Sequence, residues 1–163
     1  MTALKYLLIG AVLLSSLYLS RRYREFVLER IGAGKELLAF LKFRGESVVR
    51  FMSPKSEICR RFSGERLERC GFLPALREGK SFAEAFAIGS EKLTLSEDVR
   101  ALFEDVFSSM GFGYLEEERE RQRGAEERAE RILSDEEDAL LKSAKVRATL
   151  IISAALGAAI LLL

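Results

Sequence analysis

The sequence contains no histidine and only two cysteines, Cys59 and Cys70, and these shortages exclude several kinds of site. Histidine is the side chain used most often in general acid–base catalysis and a common zinc ligand, so neither chemistry is expected here. The eleven-residue spacing of the cysteines matches no usual zinc motif, and we predict no metal site and no cofactor. A chain this rich in apolar sequence needs no disulfide framework, and both cysteines are expected to be small, reduced core residues.

An excess of one charge is also missing, since 26 basic and 25 acidic residues almost cancel. The chain therefore offers no strong basic field for a nucleic-acid backbone, and nucleic acid is not an expected partner. Its carboxylates occur in runs mixed with arginine, and no glycine-rich phosphate loop is present. We predict a protein that is not an enzyme and has no catalytic residues.

Apolar residues are concentrated at the two ends of the chain. The segment Tyr6–Ser20 has no charged residue, and the range 2–20, which adds only Lys5, is long enough for a first transmembrane helix. The range 148–163 is uncharged and would give about 24 Å of helix, against a bilayer core of about 30 Å. Two short transmembrane helices are therefore predicted, with the lipid bilayer as a partner.

Small residues in both apolar segments are spaced as a close helix contact prefers. They are Gly10 and Ala11 in the first segment, and the pairs Ser153 with Gly157 and Ala154 with Ala158 in the second. One interpretation is that the two helices pack through these positions. The other is that small residues are simply common in membrane helices, and both interpretations stay open.

Basic residues flank the apolar segments on one side only. Lys5 alone precedes the first segment and nothing follows the second, whereas the cations between them are Arg21, Arg22, Arg24, Arg30, Lys142, Lys145 and Arg147. Because such cations stay preferentially in the cytoplasm, the range 21–147 is predicted to be a cytoplasmic domain with both termini outside. A cleaved signal peptide is the rival interpretation, but Ser16–Ser20 lacks the small-residue pair that cleavage needs.

Helical periodicity with little strand signal predicts an all-α fold, an antiparallel helical bundle flanked by the transmembrane helices. The clearest apolar stripe has the three-and-four spacing of a core helix that begins at Ser96 and ends at Gly111 or Gly113, and comprises Val99, Leu102, Phe103, Val106, Phe107 and Met110. A second stripe ends before Ser53-Pro54, where a new helix is expected, and comprises Leu37, Leu38, Leu41, Val48, Val49 and Met52.

Shorter helical segments are predicted between these stripes. Ile58 and Phe62 supply an inner face, and one further segment with Leu67, Leu73 and Leu76 runs to a turn at Gly79. Ser81 and Glu84 then match a capping box, followed by a helix that contains Ala85, Phe86 and Ile88.

Glutamate and arginine dominate Glu116–Arg131, where Ala125 and Ala129 are the apolar positions. This composition predicts a solvated surface helix, although a coiled-coil or docking arm is an open alternative. A fresh helix could begin at Ser134, but we favour one long last helix that continues into the membrane.

The order of these features resembles the stage III sporulation protein AB family of endospore-forming bacteria. The resemblance covers most of the chain and rests on the order of individually weak motifs. They are the short N-terminal span ending in Leu19-Ser20-Arg21-Arg22, Val48-Val49 leading to Ser53, Pro54 and Glu57, the run from Gly79 through Ser81 and Glu84 to Ala85, Met110-Gly111, Gln122, and the apolar C-terminal span. The sequence departs from the family at Arg50, Tyr114 and Gly124.

The resemblance implies a membrane-embedded platform subunit of a secretion-like sporulation channel, in the mother-cell membrane around the forespore. The family is similar to the platform proteins of type II secretion and type IV pilus machines. By that analogy the expected partners are a cytoplasmic secretion-type ATPase, other membrane channel subunits and, as an open alternative, further copies of this chain. Two other classes of function share these features: a membrane-anchored regulator or tether, and a membrane-shaping hairpin protein.

The candidate docking surface for the ATPase is the charged helix, and Arg119, Arg121 and Arg123 are the residues predicted to contact it. Exposed charges of mixed sign would make that contact sensitive to salt. If the charged helix is only solvated, docking is expected within the range 53–95.

Overall fold

A computed structural model describes residues 2–51, 55–110 and 115–162, and every regular element in these ranges is an α-helix. The predicted all-α fold class is confirmed. The helices are α1 (Thr2–Phe51), α2 (Lys55–Arg61), α3 (Glu65–Arg69), α4 (Phe72–Arg77), α5 (Phe82–Ser90), α6 (Glu97–Ser108) and α7 (Leu115–Leu162).

The chain divides into two compact units. Arg30–Glu136 forms the first, here called the core unit. Met1–Glu29 together with Glu137–Leu163 forms the second, here called the helix-end unit. The helices α1 and α7 contribute residues to both units, whereas α2 to α6 belong to the core unit alone.

The two long helices run without interruption through segments that differ greatly in polarity. In α7 the helix continues through Ser134, which confirms one continuous last helix and excludes a fresh start at that serine. In α1 the apolar N-terminal segment and the stripe around Leu37 belong to a single helix. The predicted helix start at Ser53-Pro54 lies outside the described residues, as does Met52, and α2 is described from Lys55.

The interior of the core unit is built around the predicted stripe of α6. All six residues of that stripe are buried, with Phe103 fully enclosed, so this prediction is confirmed. From α1, Leu41 is fully buried and Leu38 packs against the cluster from a partly buried position. Phe40 lies among aromatic rings, with centroids 5.2 Å from Phe62 and 5.1 Å from Phe72 in edge-on geometry. Aromatic contacts of this kind add to the stabilisation from burial.

The short helices are separated by turns, one of which sequence reasoning missed. Residues 65–77 form two helices because Gly71 between them adopts a left-handed conformation with φ of 94°, which L side chains rarely adopt. The predicted turn at Gly79 is confirmed, with φ of 93°. The capping box at Ser81 and Glu84 is also confirmed, because each side chain bonds the other residue's backbone N–H.

Helix α6 begins as predicted and ends early. The Ser96 hydroxyl accepts a hydrogen bond from the backbone N–H of Val99, as an N-cap does. The last helical residue is Ser108, so an end at Gly111 or Gly113 was too late by a few residues. Those two glycines lie outside the described residues.

Both cysteines are buried and reduced, as predicted. The Cys70 thiol donates a hydrogen bond to the Leu67 carbonyl oxygen at 3.4 Å. Burial raises the pKa of the Cys70 thiol, because the thiolate would lose its hydration. The Cys70 thiol is therefore not available as a ready nucleophile.

Large apolar side chains cover the exterior of the helix-end unit. Leu7, Leu14, Leu150 and Ile160 are among those that are mostly exposed. Contiguous exposed apolar surface of this kind is rare on soluble monomers and is typical of surfaces that meet lipid or another protein. Within the described residues, α7 is the helix that contains a stretch long and apolar enough to cross a membrane.

The predicted small-residue contact in the helix-end unit is placed differently. The structure buries Ser16, Ala155 and Ala159, while Ser153, Ala154 and Gly157 are exposed. A methyl group added at Gly10 or Gly157 would meet nothing within 4 Å. The buried small residues of α7 keep a four-residue spacing, but they lie one to two residues beyond the positions named in the first of the two open interpretations. Several small residues in succession leave the buried face ambiguous from sequence.

Candidate functional site

In the core unit, α7 packs antiparallel against α1. Three ion pairs join the two helices: Arg30 with Glu136, Lys42 with Glu130 and Arg44 with Glu118. As the residue number on α1 increases, the number of its partner on α7 decreases, which is the pattern of antiparallel helices. The Glu130 carboxylate accepts a hydrogen bond from the Lys42 ammonium group and raises the pKa of that lysine. The predicted antiparallel arrangement thus holds for this pair of helices.

The charged segment of α7 is only partly solvated, which corrects the expectation of a surface helix. Gln122, Ala125 and Ala129 form a buried stripe that faces α1. Close approach is possible because α1 carries glycine opposite that stripe: a methyl group at Gly45 would lie 2.9 Å from the Gln122 Nε2 atom. The two alanines that looked insufficient for a coiled coil are buried in the hydrophobic cluster of the core unit.

A buried polar cluster lies at this contact. The Arg44 guanidinium donates to the Gln122 Oε1 atom at 2.5 Å and pairs with the Glu118 carboxylate. It also lies 5.3 Å from the centre of the Phe82 ring, within the range of a cation–π contact. The Gln122 amide group in turn donates to the Leu41 carbonyl oxygen at 2.7 Å and to Glu126 at 2.8 Å. Sequence reasoning gave Gln122 only as a family-like position and missed Arg44 altogether.

Two further polar contacts tie α1 to other elements of the core unit. The Glu36 carboxylate accepts hydrogen bonds from the backbone N–H groups of Arg66 and Leu67, at the start of α3. A carboxylate at a helix N-terminus satisfies amide groups that the helix itself cannot. The Glu136 carboxylate accepts both from Arg30 and from the Ser96 hydroxyl, which links α1, α6 and α7.

The three arginines predicted to contact a partner do not share one exposed surface. Arg123 is 84% exposed and pairs with Glu127 at 3.0 Å. Arg121 instead donates to the Ser109 carbonyl oxygen at 3.0 Å, at the end of α6. Arg119 is partly buried and interacts within the chain. Of the three, Arg123 is the residue that is mostly open to a partner.

Where the structure describes them, most of the residues that carry the family resemblance between residues 53 and 85 have local structural roles, such as capping a helix or forming a turn. Gly79, Ser81 and Glu84 build the turn and cap before α5, and Ala85 is buried in the core. Glu57 is exposed and pairs with Arg61 at 3.5 Å on its own helix. Ser53 and Pro54 lie outside the described residues.

A second surface of the core unit is a groove between α5 and α6 with an acidic rim. Its volume is about 490 Å³, and Phe86 and Ala87 line it together with Glu84, Glu91 and Glu104. Arg100 also lines the groove, and it donates to the Ser90 carbonyl oxygen at 3.0 Å. Helix α5 lies within the range 53–95 that was predicted as the second docking region.

The basic residues of the helix-end unit lie close to one another across its two helices. The guanidinium of Arg147 on α7 is 4.9 Å from the centre of the Tyr23 ring on α1. Arg21, Arg24 and Lys145 line a largely apolar groove of about 630 Å³. Arg22 and Lys142 belong to the same two segments, but they do not line the groove.

Comparison with known proteins gives no match. No family model, no curated protein and no solved structure matches this chain. The family resemblance noted above therefore stays a prediction that rests on the order of motifs.

In the ranges that the structure describes, no group of histidine, cysteine, aspartate or glutamate side chains is arranged to hold a metal ion. Several arginines of the core unit pair with glutamates, among them Arg44 with Glu118 and Arg66 with Glu36, whereas the acidic groove and one side of α7 are exposed.

Proposed function

We propose that this protein is a non-enzymatic, membrane-embedded platform subunit that docks a cytoplasmic secretion-type ATPase, within the channel complex of endospore formation. The observation that carries the proposal is the contrast between the exteriors of the two units. The helix-end unit exposes large apolar side chains, as lipid-facing helices do, whereas the core unit encloses its apolar residues and exposes charge.

The proposal assigns two transmembrane passes, with the core unit in the cytoplasm and both termini outside. The flanking cations support this orientation, because Arg21, Arg22 and Arg24 on α1 and Lys142, Lys145 and Arg147 on α7 all belong to the helix-end unit. The contact of Arg147 with Tyr23 supports a common level for the two cation groups. Tyrosine is itself enriched where helices leave the bilayer.

The docking surface proposed for the ATPase is the exposed side of α7. Glu120, Arg123, Glu127 and Arg131 recur there with helical spacing and are all exposed. The same helix continues into the helix-end unit, so a partner held on this side would be connected covalently to the proposed membrane anchor. Arg121 is better left intact in any test, because it bonds the end of α6.

Binding of the full-length protein in detergent micelles to the secretion-type ATPase of the same organism tests the proposal. We expect a salt-sensitive complex that weakens when Arg123→Glu and Arg131→Glu are combined, since both changes reverse exposed charge. The matched variant, Glu91→Lys with Glu104→Lys, reverses two charges in the acidic groove and should bind like the parent.

Two other outcomes of this binding experiment distinguish an error in the docking surface from an error in the adaptor function. Weakening by the groove variant alone would move the docking surface to α5 and α6. No complex between the parent protein and the ATPase at low salt would overturn the adaptor function.

A further inference from the structure

We propose that the groove in the helix-end unit binds an anionic phospholipid, with the phosphate held by Arg24, Lys145 and Arg21 and an acyl chain packed against apolar residues of α1 and α7. This inference rests on the membrane insertion assigned in the proposed function. The volume of the groove, about 630 Å³, falls within the usual range for small-molecule sites.

The lining of the groove is divided as an amphipathic ligand requires. Leu17, Leu28, Leu141 and Ala148 supply apolar surface, whereas Arg21, Arg24 and Lys145 are its only charged lining residues in the described part of the chain. All three carry positive charge, and a neutral or cationic occupant would leave Arg24 and Lys145 without a counter-ion in the described part of the chain. An anionic headgroup would supply one, and basic pockets between membrane helices are known to hold such headgroups.

Two of these cations have no acidic partner of their own. Arg21 contacts Glu25 on the same helix at 3.3 Å, a weak contact between exposed side chains. For Arg24 and Lys145, no ion pair is formed within the described ranges. The arrangement therefore leaves positive charge directed at the groove, in a chain whose total charge nearly cancels.

The position of the groove along the helices matches the headgroup level. Leu17 lies at the end of the uncharged run in α1, and Ala148 begins the uncharged run in α7. Arg21 follows Leu17 and Lys145 precedes Ala148, each by about one helical turn. A phosphate held there would lie at the interface while its acyl chain extends toward the apolar runs.

Native mass spectrometry of the full-length protein from nanodiscs that mix phosphatidylglycerol and phosphatidylcholine tests the proposal. We expect phosphatidylglycerol to be retained in preference to phosphatidylcholine. Combining Arg24→Gln with Lys145→Gln should reduce that preference by roughly tenfold or more, because each cation near an anionic lipid contributes about fivefold. Ala144→Phe, which fills the groove without changing charge, should also reduce retention.

The matched control combines Arg22→Gln with Lys142→Gln, which removes two charges from the same segments outside the groove. Equal effects of the two charge pairs, or full retention in Ala144→Phe, would overturn the proposal in favour of general surface attraction. A protein dimer held through the groove in place of lipid would also overturn it and identify a second copy as the occupant. Failure of the protein to stay in membranes after alkaline carbonate extraction would overturn the proposed function as well, whereas insertion without lipid preference overturns only this inference.

Discussion

Arg44 depends on partners that are far away in the sequence. Its guanidinium contacts Gln122 and Glu118 on α7, and the arginine as a whole is almost completely buried. A buried charge whose partner is removed is left without compensation, whereas exchanging both members for apolar residues is often tolerated. The cluster therefore specifies which residues of α1 and α7 lie opposite each other more than it adds to stability.

Arg44→Met alone should destabilise the core unit by about 3 kcal/mol, because the buried Glu118 carboxylate then loses its close cation and keeps only a longer contact of 3.7 Å with Arg121. Combining Arg44→Met with Glu118→Leu should recover most of that loss. The measurement is the urea concentration at which Cys59 and Cys70 become accessible to a thiol reagent, since both are buried in the core unit.

The control for this prediction is Arg123→Met, which removes an exposed pair with Glu127 and should change stability by less than about 0.5 kcal/mol. Equal losses in the single and the double variant would show that Arg44 stabilises through packing of its stem alone.

At the scale of the helix, α6 was predictable and the buried side of α7 was not. Five large apolar residues of α6 with three-and-four spacing leave one possible buried face, so local sequence was sufficient for this helix. In α7, the Gln122 side chain can be buried because Arg44 and the Leu41 carbonyl oxygen form hydrogen bonds with its amide group. Both partners belong to α1, and they can be identified only once the packing of α1 against α7 is known. The placement of Arg121 at the end of α6 depends on the same packing.

The break between α3 and α4 depends on Gly71, and its conformation gives a prediction. Gly71→Ala should cost about 1 kcal/mol or more, because an L side chain is strained at its φ of 94°. Gly124 is exposed on α7, and a methyl group added there would meet no atom within 4 Å. Gly124→Ala should therefore stabilise the helix by about 0.5 to 1 kcal/mol.

Urea transitions of the two glycine variants, followed by the helical signal in circular dichroism, measure this difference. A stabilising Gly71→Ala would mean that the turn relaxes to an ordinary conformation and that one helix can run from α3 into α4.

For the whole molecule, the two units have opposite surface character although two helices are common to both. The apolar ends and their flanking cations were recognisable from composition, because hydropathy and charge are properties of the sequence itself. The division at residues 29–30 and 136–137 was not recognisable, since it depends on which helices pack against each end of α1 and α7.

The proposed orientation predicts the outcome of reporter fusions. A reporter that is active only in the cytoplasm should be silent when fused after Leu163 and active when inserted beside the exposed Ser63, between α2 and α3. The matched control is the same reporter inserted beside Lys80, another exposed loop position of the core unit, which should also be active. Activity after Leu163 together with silence at both loops would reverse the orientation and exclude a cytoplasmic ATPase as the partner.

The contact between α1 and α7 has a consequence for synthesis on the ribosome. The hydrogen bond between Arg44 and Gln122 cannot form until the ribosome has synthesised Gln122, which is 78 residues later in the chain. At ordinary translation rates this delay is about 4 to 16 s. Throughout it, the side of α1 that α7 will cover, including the fully buried Leu41, is open to water and to other chains. In the proposed topology the first residues anchor the nascent chain in the membrane during that interval, beside other nascent copies. Chaperone supply and ribosome spacing should then influence how much of this protein reaches its folded form.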